Sequence, residues 1–171
     1  IYKEGREETI EVEQLGEYVT KLTPEAEEVA ATIQEAIVYY PVHYCQNNVD
    51  IIDTPGLNDE ESMTDVTLSL LPSVDVAIMV VMVQSPFSEY EREFLETNLL
   101  SQDLSKIIFI ATGIDRFNNP VDANKGIKYI EDRIQRLVLQ RSKDEYGENS
   151  SEYQVYLKKI GKPKIFGLSA Y

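Results

Sequence analysis

Asp53-Thr54-Pro55-Gly56 ends the short apolar run 49–52 with a carboxylate, a hydroxyl and a sharp turn. A carboxylate at the end of a buried strand can hold a water of Mg²⁺, because hard cations take oxygen ligands. Gly56 has no Cβ, so backbone N–H there can approach a terminal phosphate closely. The same residues also suit a strand followed by an ordinary Pro-Gly turn. Two later strand ends bear on that choice. Thr112-Gly113-Ile114-Asp115 closes the run that starts at Lys106, and Ser169-Ala170 closes the run that starts at Lys164. Asp115 can accept two hydrogen bonds from the N1–H and N2–H₂ of a guanine, which adenine cannot supply in that arrangement. Ser169 and Ala170 are small enough for a base to lie against backbone, with the Ala170 N–H available to guanine O6. Each group alone also reads as a cap or turn residue. Their recurrence after three buried strands favours a nucleotide site.

The elements that must position these groups follow from periodicity. Thr9–Glu13 alternates and predicts an edge strand with one wet face. Thr23-Pro24-Glu25 predicts a helix start, and Val29, Ile33 and Ile37 carry one stripe down to Tyr40, where Pro41 stops it. Pro41–Cys45 and Val49–Asp53 read as neighbouring strands joined through Asn47-Asn48, since Asn tolerates positive φ. A polar loop over 58–65 leads into a short helix through Val66, Leu70 and Leu71, ending at Pro72. Val76–Val83 and Lys106–Thr112 are apolar without alternation, the pattern of strands covered on both faces. Between them Ser88-Glu-Tyr-Glu91 is a capping box, with Phe94, Leu95 and Leu99 on the buried side of its helix. Ile127, Ile130, Ile134 and Leu137 mark a long helix to about Arg141. A loop over Ser142–Ser151, a short helix to Lys159 and a last strand, Lys164–Leu168, complete the chain. Strand–helix alternation of this kind predicts an α/β three-layer sandwich with a mostly parallel sheet, whose ligands bind outside the carboxyl ends of the strands.

A length of 171 residues suits one domain, and no internal repeat or linker divides it. No apolar run approaches the 18–20 residues of a membrane span. Cys45 is the one cysteine, which excludes an internal disulfide and points to a reducing, cytosolic compartment. His43 and Cys45 lie two apart and are expected to pack rather than to bind zinc. The net charge of −14 repels phosphate backbones and anionic lipid, so neither nucleic acid nor membrane is an expected direct partner. The charge is uneven: residues 1–35 hold ten Glu against Lys3, Arg6 and Lys21, while residues 124–164 hold ten Lys/Arg against six acids. A solvated face on each side is the first reading of this, and head-to-tail electrostatic docking is the second.

With these motifs the chain resembles a GTPase G domain of the P-loop NTPase type. Asp53–Gly56 is similar to the switch-II Asp-x-x-Gly motif, Thr112–Asp115 to the guanine-specificity motif, and Ser169-Ala170 to the base-contacting Ser-Ala motif. The form Asp-Thr-Pro-Gly-Leu-Asn, the opening Thr112 and the acidic run ahead of switch II resemble the dynamin superfamily, bacterial dynamin-like proteins in particular. The resemblance implies binding and hydrolysis of GTP to GDP, with Asp53, Thr54 and Gly56 in the catalytic turn. Asp53 would hold Mg²⁺ through water and Gly56 would meet the γ-phosphate. Thr112 and Asp115 would read guanine, with Ser169 and Ala170 beside the base. Leu57 stands where Ras-like GTPases place a water-positioning Gln. Dynamin-like enzymes complete such a site by pairing of G domains, which implies self-association. Membrane remodelling would use regions outside this chain, in a cytoplasmic protein peripheral at a membrane.

Two departures qualify the resemblance. Gly113 replaces the usual Lys, whose stem lies along the base, so that stacking is lost unless Arg116 or another side chain substitutes. No Gly-x-x-x-x-Gly-Lys-Ser/Thr loop occurs in the sequence. The expectation is a G domain without its N-terminal P-loop segment and central first strand, inactive as a segment by itself. Removing that strand would leave the backbone of Val49–Asp53 and Val76–Val83 without partners. Another P-loop NTPase, such as a partitioning ATPase or a translation-type GTPase, and a non-catalytic pseudo-GTPase interaction module are the competing readings.

Overall fold

Residues 1–20, 23–54, 67–85 and 87–169 are described by the computed structural model, and they fall into two units, Ile1–Ile52 and Asp53–Tyr171. In the first unit, α1 spans Leu15–Val19 and α2 spans Pro24–Ala30. The predicted start of α2 is found: Pro24 opens it, and the Thr23 hydroxyl accepts a hydrogen bond from Ala26 N at 3.2 Å. Its end is not at Tyr40. After Ala30 the backbone turns to the N-terminal residues, with Lys3 N donating to Thr32 O at 2.9 Å and Gln34 N to Ile1 O at 3.0 Å. A single antiparallel bridge joins Tyr2 and Ile33.

The strands expected in this unit are absent. Val12–Gln14 is a 3₁₀ turn instead of part of a Thr9–Glu13 strand, and His43–Cys45 is another in place of Pro41–Cys45. The residues Val49–Asp53 are irregular and exposed. Asn47 and Asn48 do take positive φ, 62° and 60°, but they join no strands. A strand needs a neighbour for its N–H and C=O groups and cover for one face. No described residue of this unit is buried, so the apolar runs have nothing to pack against. His43 is exposed and so is not a packing residue, while Cys45 is half-buried.

The second unit is built on β1 (Val76–Met82), β2 (Lys106–Thr112) and β3 (Ile165–Leu168), paired in parallel in that order. Their Val, Ile and Phe content suits a pleated surface. Helical residues 67–70 and a 3₁₀ turn at Leu71–Ser73 precede β1. Between β1 and β2 lies α3 (Glu89–Phe94), opened by the predicted capping box of Ser88 and Glu91 and continued by a π-helical turn, Leu95–Leu99. Between β2 and β3 runs α4 (Pro120–Ile134), prolonged through a π-helical turn, Gln135–Gln140, into α5 (Arg141–Tyr146), and then α6 (Ser151–Ile160). The long helix therefore passes Arg141 and absorbs half of the expected loop. Its extra turn is held by Ser142, which is buried and donates to Leu139 O at 3.0 Å.

One core joins sheet and helices: Met79, Val81 and Val83, then Ile107, Phe109 and Ala111, meet Leu95, Leu99, Ile130, Ile134 and Val138. Each fully buried aliphatic or aromatic side chain here contributes about 1.5–3 kcal/mol. Lys159 closes the layer. It is buried, and its ammonium donates to the carbonyls of Leu100 and Gln102, the first at 2.7 Å, while burial pushes its pKa down. The architecture is α/β with a parallel sheet, as expected. Among the described residues, however, the helices cover one face only. Val76, Ile78, Val80 and Met82 point to the other face and are 44–57% exposed, where strands without alternation were expected to be covered on both sides.

Candidate functional site

Parallel pairing brings the three strands to a common carboxyl edge. Met82 lies beside Thr112, and Thr112 beside Leu168. Val83 N donates to Thr112 O at 3.1 Å, so the first residue after β1 is fastened to the last of β2. Gly113 then takes φ 77°, ψ 23°, a left-handed conformation that L side chains avoid, and opens a 3₁₀ turn over Ile114–Arg116. Arg116 N closes that turn on Gly113 O at 3.2 Å. Asn119 caps α4 three residues later, its side chain accepting from Asp122 N at 2.9 Å. A short loop fixed at both ends thus carries Asp115.

Close approach of backbone sets its height over the sheet. A Cβ on Gly167 would come within 2.7 Å of Ile127 Cδ1 and 3.3 Å of Ile114 Cγ2. Gly167 therefore lets the 114–116 turn and α4 settle onto β3. Ser169 follows Leu168 directly and is half-buried. Asp115 is exposed and makes no hydrogen bond or ion pair with a described residue. Thr112, Asp115 and Ser169 share one edge. Next to them, Arg116 Nη1 lies 3.4 Å from Gln84 Oε1 and 4.0 Å from Met82 Sδ.

Asp53 and Thr54 open the second unit in irregular, exposed chain, and no strand pairing ties them to that edge. Gly56, Leu57 and Ala170 lie outside the described residues. Of the residues singled out from the sequence, three are brought together and two are not. Gly167 and Gln84 had no sequence signal, because each acts through a neighbour distant in the chain: Ile127 and Ile114 for Gly167, Arg116 for Gln84.

A sequence model of the dynamin family matches residues 1–114. The chain belongs to the dynamin family. It is 25% identical over 143 residues to a bacterial dynamin-like protein of Nostoc punctiforme, covering 80% of this chain and 20% of that protein. It is 28% identical over 112 residues to dynamin-like protein 1 of Campylobacter jejuni, covering 64% and 15%. An uncharacterized protein of a Caldicellulosiruptor species is 29% identical over 117 residues, covering 67% and 28%. This dynamin-family chain thus spans between 15% and 28% of the length of these relatives. The family match includes Asp53–Gly56 and ends one residue before Asp115.

Oxygen donors of the type a magnesium nucleotide uses are present, though the structure does not bring Asp53 and Thr54 to the edge that carries Asp115. Among the described residues no group of three or more His, Cys, Asp or Glu could hold a metal ion. Mg²⁺ does not require one, since it binds through one or two protein oxygens together with phosphate and water. The Asp53 carboxylate and Thr54 hydroxyl are oxygens of that kind. Asp115, exposed and without a partner among the described residues, has the acceptor capacity that a guanine edge needs. Among the described residues no helix is long and apolar enough to cross a membrane.

Proposed function

We propose that this chain is the guanine-reading and γ-phosphate-sensing part of a longer, dynamin-like GTPase. The observation that carries the reading is the common register of Met82, Thr112 and Leu168, which gathers Thr112, Asp115 and Ser169 beyond one sheet edge. That edge is where ligands of open parallel sheets bind. In this reading Asp115 accepts the guanine N1–H and N2–H₂, and Thr112, Ser169 and Ala170 complete the base pocket. Asp53 holds a Mg²⁺ water, while Thr54 and Gly56 meet the terminal phosphate. Bound Mg²⁺ would supply charge stabilisation on the phosphates. The phosphate-cradling loop, absent from these residues, belongs to another part of the protein. The isolated segment therefore binds nucleotide weakly and is inactive. Pairing of G domains completes the catalytic centre, and membrane remodelling by a cytoplasmic, peripheral protein is the expected output. Neither membrane contact nor nucleic-acid binding is assigned to this chain.

Asp53→Ala in the intact protein is expected to abolish GTP turnover while leaving its fold unchanged by circular dichroism. Wild-type turnover in that variant would rule out the metal role. The non-catalytic reading draws on Gly113 and on the missing Gly-x-x-x-x-Gly-Lys-Ser/Thr loop. Calorimetry with GTP and Mg²⁺ separates the two, since a scaffold without a site gives no heat of binding.

A further inference from the structure

Resting on the guanine-nucleotide reading above, we infer that Arg116 is the residue that lies against the face of the base, in the space a side chain at position 113 would otherwise supply. Gly113 carries no side chain, yet the space beside it is filled. A Cβ built there would meet Arg116 Cδ at 3.6 Å and Arg116 Nε at 3.8 Å. The 3₁₀ turn explains this, because residues three apart eclipse in that helix. The Arg116 stem thus runs over the Gly113 α-carbon toward the carboxyl end of β1, where Gln84 and Met82 receive the guanidinium.

The electrostatics fit a ligand rather than a brace. Both receiving groups are neutral, and Arg116 takes part in none of the ion pairs among the described residues. Its contact with Gln84, at 3.4 Å and exposed, is long for a hydrogen bond and adds little to stability. A planar, weakly hydrated cation left uncompensated is suited to an aromatic face, and bases do stack on Arg planes. Asp115 and Arg116 are consecutive: one offers an acceptor to the edge of a purine, the other a plane to its face. Gly113 is then no loss of the stacking group but the vacancy that admits one from three residues on.

The test is titration of the intact protein with GDP and Mg²⁺ at low and at high salt, comparing wild type with Arg116→Ala, Arg116→Lys, Arg116→Gln and Asp115→Asn. Arg116→Ala is expected to weaken GDP binding by about 5–30-fold at both salt concentrations. Arg116→Lys, which keeps charge without the plane, should fall between. Apo melting temperatures should match wild type; if the Ala variant does not fold, Arg116→Gln, which retains the stem over Gly113, carries the test. Equal affinities for wild type and the Arg116 variants overturn the inference. So does a loss that disappears at high salt, which would put the guanidinium on the phosphates. If wild type binds GDP and Asp115→Asn loses it while the Arg116 variants do not, only the Arg116 assignment falls. If wild type itself binds no guanine nucleotide, the underlying reading falls and takes this one with it.

Discussion

Asp122 is the charged residue whose titration reports on the loop that carries Asp115. Its carboxylate accepts from Lys125 Nζ at 2.8 Å and from Asn119 Nδ2 at 2.7 Å, while its own N–H bonds the Asn119 side chain. The hydrogen bond from Lys125, then that from Asn119, then the lysine charge hold its pKa below the ordinary carboxylate value. A carboxylate with a depressed folded-state pKa is stabilising above its unfolded pKa, and that contribution is lost as pH falls through the folded value. The contribution of the Asp122 carboxylate to this loop is therefore expected to fade as pH falls below about 4, while the Asn119 cap on the Asp122 N–H does not titrate. Asn119→Ala should move the Asp122 midpoint upward, toward the ordinary value, as followed by carboxyl NMR. An unmoved midpoint would show that Lys125 alone sets it. The candidate site was legible at this scale where a residue type at a strand end suffices, as for Thr112, Asp115 and Ser169. The sequence marks Arg116 as a candidate to replace the side chain missing at Gly113, but its seat against Gln84 was not legible, since that needs a left-handed glycine and a residue 32 positions away.

Gly126 decides how closely α4 approaches the sheet. A Cβ there would lie 2.7 Å from Val83 Cγ2, closer than atoms pack, and 3.5 Å from Phe117 Cζ. Alanine is the better helix former by about 1 kcal/mol, but crowding a branched side chain fixed in the core costs about 1–3 kcal/mol. The clash wins: Gly126→Ala should lower stability by about 1–2 kcal/mol, seen as a smaller urea midpoint with an unchanged slope. A more stable variant would mean that Val83 can move aside. Elements that bury one face in a common core were readable from sequence, namely β1, β2, β3, the Ser88 capping box and α4. Where no core exists the same signals misled. Thr9–Glu13, Pro41–Cys45 and Val49–Asp53 have strand composition, but no described residue of their unit is buried. The end of the long helix was misread because its charged surface hides Ser142, which is buried.

The whole second unit presents two unlike sheet faces, and that asymmetry governs how the isolated chain behaves. Register sets Ile78 beside Ile108 and runs Val80 beside Ile110 and Phe166, with Met82, Thr112 and Leu168 as the last row. Ile78 is 56% exposed, Val80 57%, Phe166 50% and Leu168 55%, while Met79 and Val81 behind them are 5% and 0% exposed. A contiguous exposed apolar patch drives association, and among the described residues no strand pairs with the outer edge of β1. The isolated 171-residue chain is therefore expected to bind a hydrophobic dye and to self-associate as its concentration rises. Ile78→Thr with Val80→Thr should reduce both, measured by dye fluorescence and light scattering. Because both positions are exposed and Thr suits strands, the stability cost should be within about 0.5 kcal/mol. Val81→Thr, one residue along and fully buried, places a hydroxyl in the core and should cost about 1–3 kcal/mol. The contrast between neighbouring residues makes the test strict: if Val80→Thr destabilises as much as Val81→Thr, the outer face is covered in solution and the sheet is buried on both sides.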